Sequence, residues 1–228
     1  PEVLVKGLSL ARFFTREGRH PYDEISWEKR DAVIKSAAGD IIFQQKGVEV
    51  PNFWSQSATD IVAEKYFSGH VGRPGREASV RELVSRVAET ISAWGLSSGY
   101  FQTPSDAEIF KEELVHILIN KKGAFNSPVW FNVGVEESPQ CSACFILEVQ
   151  DNKESIADWY RTEMFIFSGG SGSGLNISNL RSSKEMIFRK GKASGPVSFM
   201  KGADAIAGTI KSGGKTRRAA KMVILNAD

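Results

Sequence analysis

The chain has 228 residues, of which 41% are hydrophobic and 25% charged, with a formal net charge of +2. That length can bury a real core, as one large domain or one domain plus an appendage, and the near balance of charge gives no argument for nucleic acid. No apolar run approaches the roughly 20 residues that span a bilayer. Arg12, Arg16, Glu17 and Arg19 interrupt the early apolar stretch, so no cleavable signal pattern is read, and two cysteines do not make a secreted disulfide framework. The expectation is a cytoplasmic protein with neither a nucleic-acid nor a membrane partner.

Residues 1 to about 50 are polar with few periodic apolar positions, and are expected to wrap as an N-terminal arm. From Val50 the pattern turns helical. Ser79-Val-Arg-Glu82 is a capping box, followed by a stripe of Val80, Leu83, Val84, Val87, Ile91 and Trp94. A second box, Ser105-Asp-Ala-Glu108, opens a helix carrying Ile109, Phe110, Leu114, Ile117 and Leu118, which is expected to close at Gly123. Beyond Gly123 the texture changes. Pro128 to Asn132 and Ala143 to Val149 read as short strands. Asp151 and Ser155 lead into a helix striped by Ile156, Trp159, Tyr160, Met164 and Phe167. A glycine-rich turn at Gly169–Gly174, a brief strand from Leu175, a helix from Pro196 to Ile206 and a strand at Met222–Leu225 complete the order. Strands alternating with helices predict an α/β fold with a largely parallel sheet. The two expected regions are 1–122, the arm and helices, and 123–228, the α/β part.

Three motifs invite chemistry. The Gly169–Gly174 turn fails the dinucleotide fingerprint, because Leu175 stands where a third glycine belongs. The loop Lys211-Ser212-Gly213-Gly214-Lys215-Thr216-Arg217-Arg218 resembles a Walker A ending, but Thr209 replaces the leading glycine and the strand follows the loop instead of preceding it. Its glycines and cations still suit phosphate, and with Lys221 they form a basic cluster. Cys141-Ser-Ala-Cys144 lacks the second pair that a zinc site needs, and Cys144 leads into a strand instead of a helix; two buried inert thiols are the common outcome of such a pattern. His20, His70 and His116 are scattered and receive no role.

In this order the segments Val48–Gln56, Gly123–Asn132, Ser142–Ile146, Gly170–Asn176, Ala193–Met200 and Ala207–Val223 cover almost the whole chain. Together they resemble the N-terminal half of a class II, adenosylcobalamin-dependent ribonucleotide reductase. The resemblance implies a helical N-terminal region followed by the first half of a ten-stranded α/β barrel that holds the substrate. It implies reduction of ribonucleotides, diphosphates by preference, at the 2′ carbon, by radical chemistry that starts from cobalamin and passes through a thiyl radical. It also implies a deoxynucleotide or ATP effector, a homodimer, and an external dithiol such as thioredoxin.

Residue by residue, Cys144 matches the redox cysteine on the first barrel strand, while Cys141 departs from the family pattern. Ser127, Ala143 and Gly172 match positions that line the substrate. Asp151, Ser168 and Arg181 match positions around the effector, and Lys211 to Arg218 matches the loop relaying effector identity to substrate choice. The helix after Asp151 matches one that packs on its mate in the family dimer. The thiyl cysteine, the acid/base carboxylate and the second redox cysteine are expected beyond Asp228, leaving this chain alone without reductase activity. A nucleotide-binding or assembly subunit and an intein-flanking segment stand as alternatives.

Overall fold

The computed structural model describes residues 7–187, 191–210 and 220–227, and the chain divides into two units, 1–139 and 140–228. In the first unit the segment expected as an arm contains a hairpin. β1 (Trp27–Lys35) pairs antiparallel with β2 (Ile41–Pro51), with register shifts between Arg30 and Ala32 and between Ile34 and Lys35. Charges crowd the exposed face, so alternation is hard to see in the sequence; the inward positions Ala32, Val48 and Val50 are fully buried. Before the hairpin, His20 accepts the Tyr22 N–H at 3.2 Å and caps a 3₁₀ turn, Pro21–Glu24.

Four helices follow. α1 (Gln56–Lys65) is capped by Ser55, and α2 (Val80–Ser97) carries the expected capping box of Ser79 and Glu82. In the α2 stripe Val80, Leu83, Val84 and Val87 are buried, whereas Trp94 at its end is exposed. α3 (Pro104–Ile119) starts two residues earlier than the expected box, because Thr103 caps it and Pro104 occupies the first turn, where a missing N–H is harmless. Asn120 ends it, short of Gly123.

α4 (Ser127–Asn132) is a helix where a strand was expected. The Asn126 side chain accepts the Val129 N–H and Pro128 sits in the first turn, so local capping overrides the β preference of Val-Trp-Phe. Arg86 ties α4 to α2. Its guanidinium pairs with Glu77 at 2.7 Å and donates to the Val133 and Trp130 carbonyls at 2.6 and 3.1 Å.

The second unit holds a three-stranded parallel sheet in the order β3 (Cys144–Leu147), β4 (Gly172–Asn176), β7 (Lys221–Ile224). α5 (Lys153–Ser168), capped by Asn152, connects β3 to β4, and α6 (Pro196–Thr209) lies between β4 and β7 in sequence. The two-residue strands β5 (Met186–Ile187) and β6 (Gly191–Lys192) pair antiparallel. Val149, Ile156, Trp159, Leu175, Ile177, Leu180 and Ala203 form the core of this unit. The α/β class with parallel strands is therefore as the sequence predicts; among the described residues the sheet is open. No helix among the described residues is long and apolar enough to cross a membrane.

Candidate functional site

Parallel pairing sets Cys144 directly opposite Gly172. The Gly172 N–H donates to the Ala143 carbonyl at 2.7 Å, and the Ser173 N–H donates to the Ala220 carbonyl at 3.0 Å. Three of the sequence-predicted residues, Ala143, Cys144 and Gly172, thus meet at one end of the sheet. Alternation along the strands sends Cys144 and Ile146 to an open face, with Ile146 95% exposed, and Met222 and Ile224 on β7 share that exposure. Phe145 and Leu147 turn the other way and are half-buried. The thiol of Cys144 is accessible, and neither cysteine is in a disulfide.

The glycine at 172 is required by space. A Cβ there would stand 2.9 Å from the Ala220 carbonyl oxygen, whereas one at Gly174 would find its nearest neighbour, Met222 Cβ, at 3.9 Å. Glycine at 172 lets β4 and the entry to β7 close on each other beside Cys144.

Cys141 is exposed as well. Partial burial pushes its thiol pKa up, because desolvation disfavours the thiolate.

Asp151 and Arg181 come together, with the Arg181 Nε donating to a carboxylate oxygen of Asp151 at 2.5 Å. Ser168 does not join them. It closes α5, whose first residue follows Asp151 closely, so the sixteen-residue helix sets Ser168 about 24 Å along the axis from that end. The Ser168 hydroxyl donates to the Phe165 carbonyl at 2.8 Å. Ser127, in the first unit, is half-buried at the start of α4, with its Oγ 3.3 Å from the Tyr66 hydroxyl. Residues Lys211 to Arg218 lie outside the described residues.

Two participants escaped the sequence reading. Glu163 lies on the α5 stripe, four residues after Trp159 and four before Phe167, and its side chain is 1% exposed. It accepts a hydrogen bond from the Ser173 hydroxyl at 2.7 Å and pairs with Lys221 at 2.6 Å. Lys221, grouped with the basic cluster in the sequence, points inward between the Trp159 and Phe167 rings, 5.8 and 5.6 Å from their centroids. A carboxylate on an apolar stripe was the available signal, since a buried charge demands a partner.

Residues 28–121 match the family model of the class II vitamin B12-dependent ribonucleotide reductase, and residues 142–228 that of the ribonucleotide reductase barrel domain. The vitamin B12-dependent ribonucleotide reductase of Streptomyces coelicolor is 57% identical over 224 residues, covering 98% of this chain and 23% of that protein. The protein of the same name from Rhodopirellula baltica is 44% identical over 241 residues, covering 93% of this chain and 23% of its own length. The vitamin B12-dependent ribonucleoside-diphosphate reductase of Thermoplasma acidophilum is 45% identical over 102 residues, covering 44% of this chain and 13% of that protein. The chain therefore spans only 23% of the length of the first two relatives. With two successive family models and relatives matched along nearly the whole chain, the chain belongs to the class II, vitamin B12-dependent ribonucleotide reductase family.

Proposed function

We propose that this chain supplies the first redox cysteine and the nucleotide-recognition elements of an enzyme that reduces ribonucleoside diphosphates to 2′-deoxyribonucleotides. The observation that carries the reading is the accessible Cys144 thiol, placed in register with Gly172 on an open sheet face. The diphosphate preference draws on the Thermoplasma relative, whose name specifies that substrate. The family's cofactor, adenosylcobalamin, supplies the initiating radical when bound. Among the described residues no cluster of His, Cys, Asp and Glu offers a donor set for a metal ion, and the chain's own part is binding, orientation and thiol chemistry.

In this proposal Cys144 and a second thiol give two electrons to the 2′ carbon. The two thiols become one disulfide, the 2′ hydroxyl leaves as water, and an external dithiol restores both thiols. Ala143 and Gly172 bring backbone to the sugar without side-chain bulk, and Ser127 offers a hydroxyl to a phosphate oxygen. Asp151 and Arg181, now paired with each other, exchange that contact for an effector's ribose hydroxyl and phosphate. The loop from Lys211 to Arg218 relays effector identity, which requires an element with more than one arrangement that both ligands bias. In this proposal the barrel portion begins at 123 and residues 1–122 form the supporting region.

The test is Cys144→Ser in the full-length enzyme that contains this segment, assayed with cobalamin and a dithiol reductant. Multiple turnover should be lost while nucleotide binding persists. Sustained turnover by the serine variant would remove Cys144 from the redox pair. Arg181→Ala should weaken deoxynucleotide effector binding about tenfold, as expected for losing one charge-assisted phosphate contact.

A further inference from the structure

The first unit contains a partly open cavity of about 350 Å³. Protein interiors hold few voids larger than a water molecule, and a largely apolar hollow of this size falls in the range of small-molecule sites. Its walls include Trp54, Tyr66, Leu118, Phe125 and Trp130, and Lys121 stands among the lining residues. Both indole N–H groups are already spent: Trp54 donates to the Ile119 carbonyl at 3.0 Å and Trp130 to the Phe125 carbonyl at 3.1 Å. The Tyr66 hydroxyl lies 3.3 Å from Ser127 Oγ, so the aromatic walls offer chiefly ring faces and apolar area, and Lys121 is the charged group of the lining.

Lys121 is held in an unusual way. It is the one non-glycine residue with positive φ among the described residues, at 56°. The Lys122 N–H returns to the Ile117 carbonyl at 2.9 Å and the Lys121 N–H to the Leu118 carbonyl at 3.1 Å. That pattern is a Schellman closure of α3, and Lys121 occupies the position that glycine normally takes. Backbone preference argues against lysine here. The side chain it provides stands 5.4 Å from the Trp54 ring centroid and 5.8 Å from that of Phe53, and makes no ion pair among the described residues. An exposed cation thus stands beside aromatic walls, over the Phe53 and Trp54 rings.

We propose that this cavity binds a planar aromatic anion, its ring system packed among Trp54, Phe125 and Trp130 and its anionic group paired with Lys121. The proposal uses none of the residues assigned to the reductase reading, although Tyr66 in the cavity wall touches Ser127, and the naphthoate titration reads binding without turnover.

The test titrates the full chain with 2-naphthoate and with its neutral analogue 2-naphthamide, following quenching of the tryptophans and heat of binding. Saturable naphthoate binding is expected, tighter than that of the amide by about threefold, the worth of one solvent-exposed charge pair. Lys121→Asn accepts the positive φ readily, so the fold should persist; it should bring the acid down to the amide's affinity and leave the amide unchanged. Ala124→Leu, which narrows the lining, should weaken both ligands while the unfolding transition is retained. No saturable binding of the acid, equal affinity of acid and amide in the parent chain, or indifference to Lys121→Asn would each overturn the proposal.

Discussion

Glu163 and Lys221 meet at 2.6 Å, the carboxylate 1% exposed and the ammonium-bearing side chain 14% exposed. The pair joins α5 to the start of β7, and the Ser173 hydroxyl adds β4 to the same carboxylate. Removing one member of such a pair strands a buried charge, which typically costs about 3–5 kcal/mol. Lys221→Met is therefore expected to lower the urea midpoint of the second unit sharply. The double variant Glu163→Leu with Lys221→Met should recover much of that loss, because an apolar replacement leaves no stranded charge. Equal losses in the single and double variants would show that the pair is not the source.

Two glycines on β4 should behave oppositely. Gly172→Ala places a Cβ 2.9 Å from the Ala220 carbonyl oxygen, a backbone atom that cannot step aside alone, whereas Gly174→Ala meets nothing closer than 3.9 Å. The first substitution should destabilise the sheet measurably in chemical denaturation. The second should be neutral or slightly stabilising, since alanine has less backbone freedom to lose on folding.

The segment around residues 10–15 is held to α3 by carboxylates, and its attachment should depend on pH. At Glu113 burial raises the pKa, but the Thr15 hydroxyl and the amides of Phe14, Thr15 and Phe13 more than offset this, leaving it below the ordinary Glu value. Asp106 is likewise lowered, first by the Thr103 hydroxyl and then by the Leu10 amide. A pKa depressed on folding contributes stability that is present above the unfolded value and lost as pH falls through the folded one. Amide protection at Phe14 and Leu10 should therefore decline together as pH drops below the ordinary carboxylate range. Glu113→Gln should flatten the response at Phe14 and leave that at Leu10, as read by hydrogen exchange.

Cys141 should alkylate more slowly than a free cysteine at neutral pH. Partial burial raises its pKa, so less reactive thiolate is present. Peptide mapping after timed iodoacetamide exposure checks this, and a rate matching free cysteine would contradict it.

What could be read in the sequence was what neighbours decide. The Ser79–Glu82 box needs only a four-residue turn, and the structure contains it. The α5 stripe was legible through Ile156, Trp159 and Phe167, all buried. Segment 128–132 misled because Val-Trp-Phe favours strands while Asn126 and Pro128, which carry the helix signal, lie at its margin. The hairpin at 27–51 was hidden because Glu28, Lys29, Arg30 and Asp31 outnumber the inward residues. At the site, Cys144 and Gly172 were each identifiable, but their register is a pairing across 28 positions of sequence that no local pattern encodes. Lys221 looked like one of the loop's cations because only the fold reveals Glu163 across from it.

The sheet order carries an evolutionary consequence. β4 and β7 are adjacent strands, yet the chain between them runs from 177 to 220 and contains α6. Their mutual register is fixed locally, by the close approach at Gly172, while lengthening a connection costs only a logarithmic increment of closure entropy. Insertions and deletions along that excursion can thus accumulate cheaply. The crossover can therefore change in length while the position of the Cys144 thiol stays fixed.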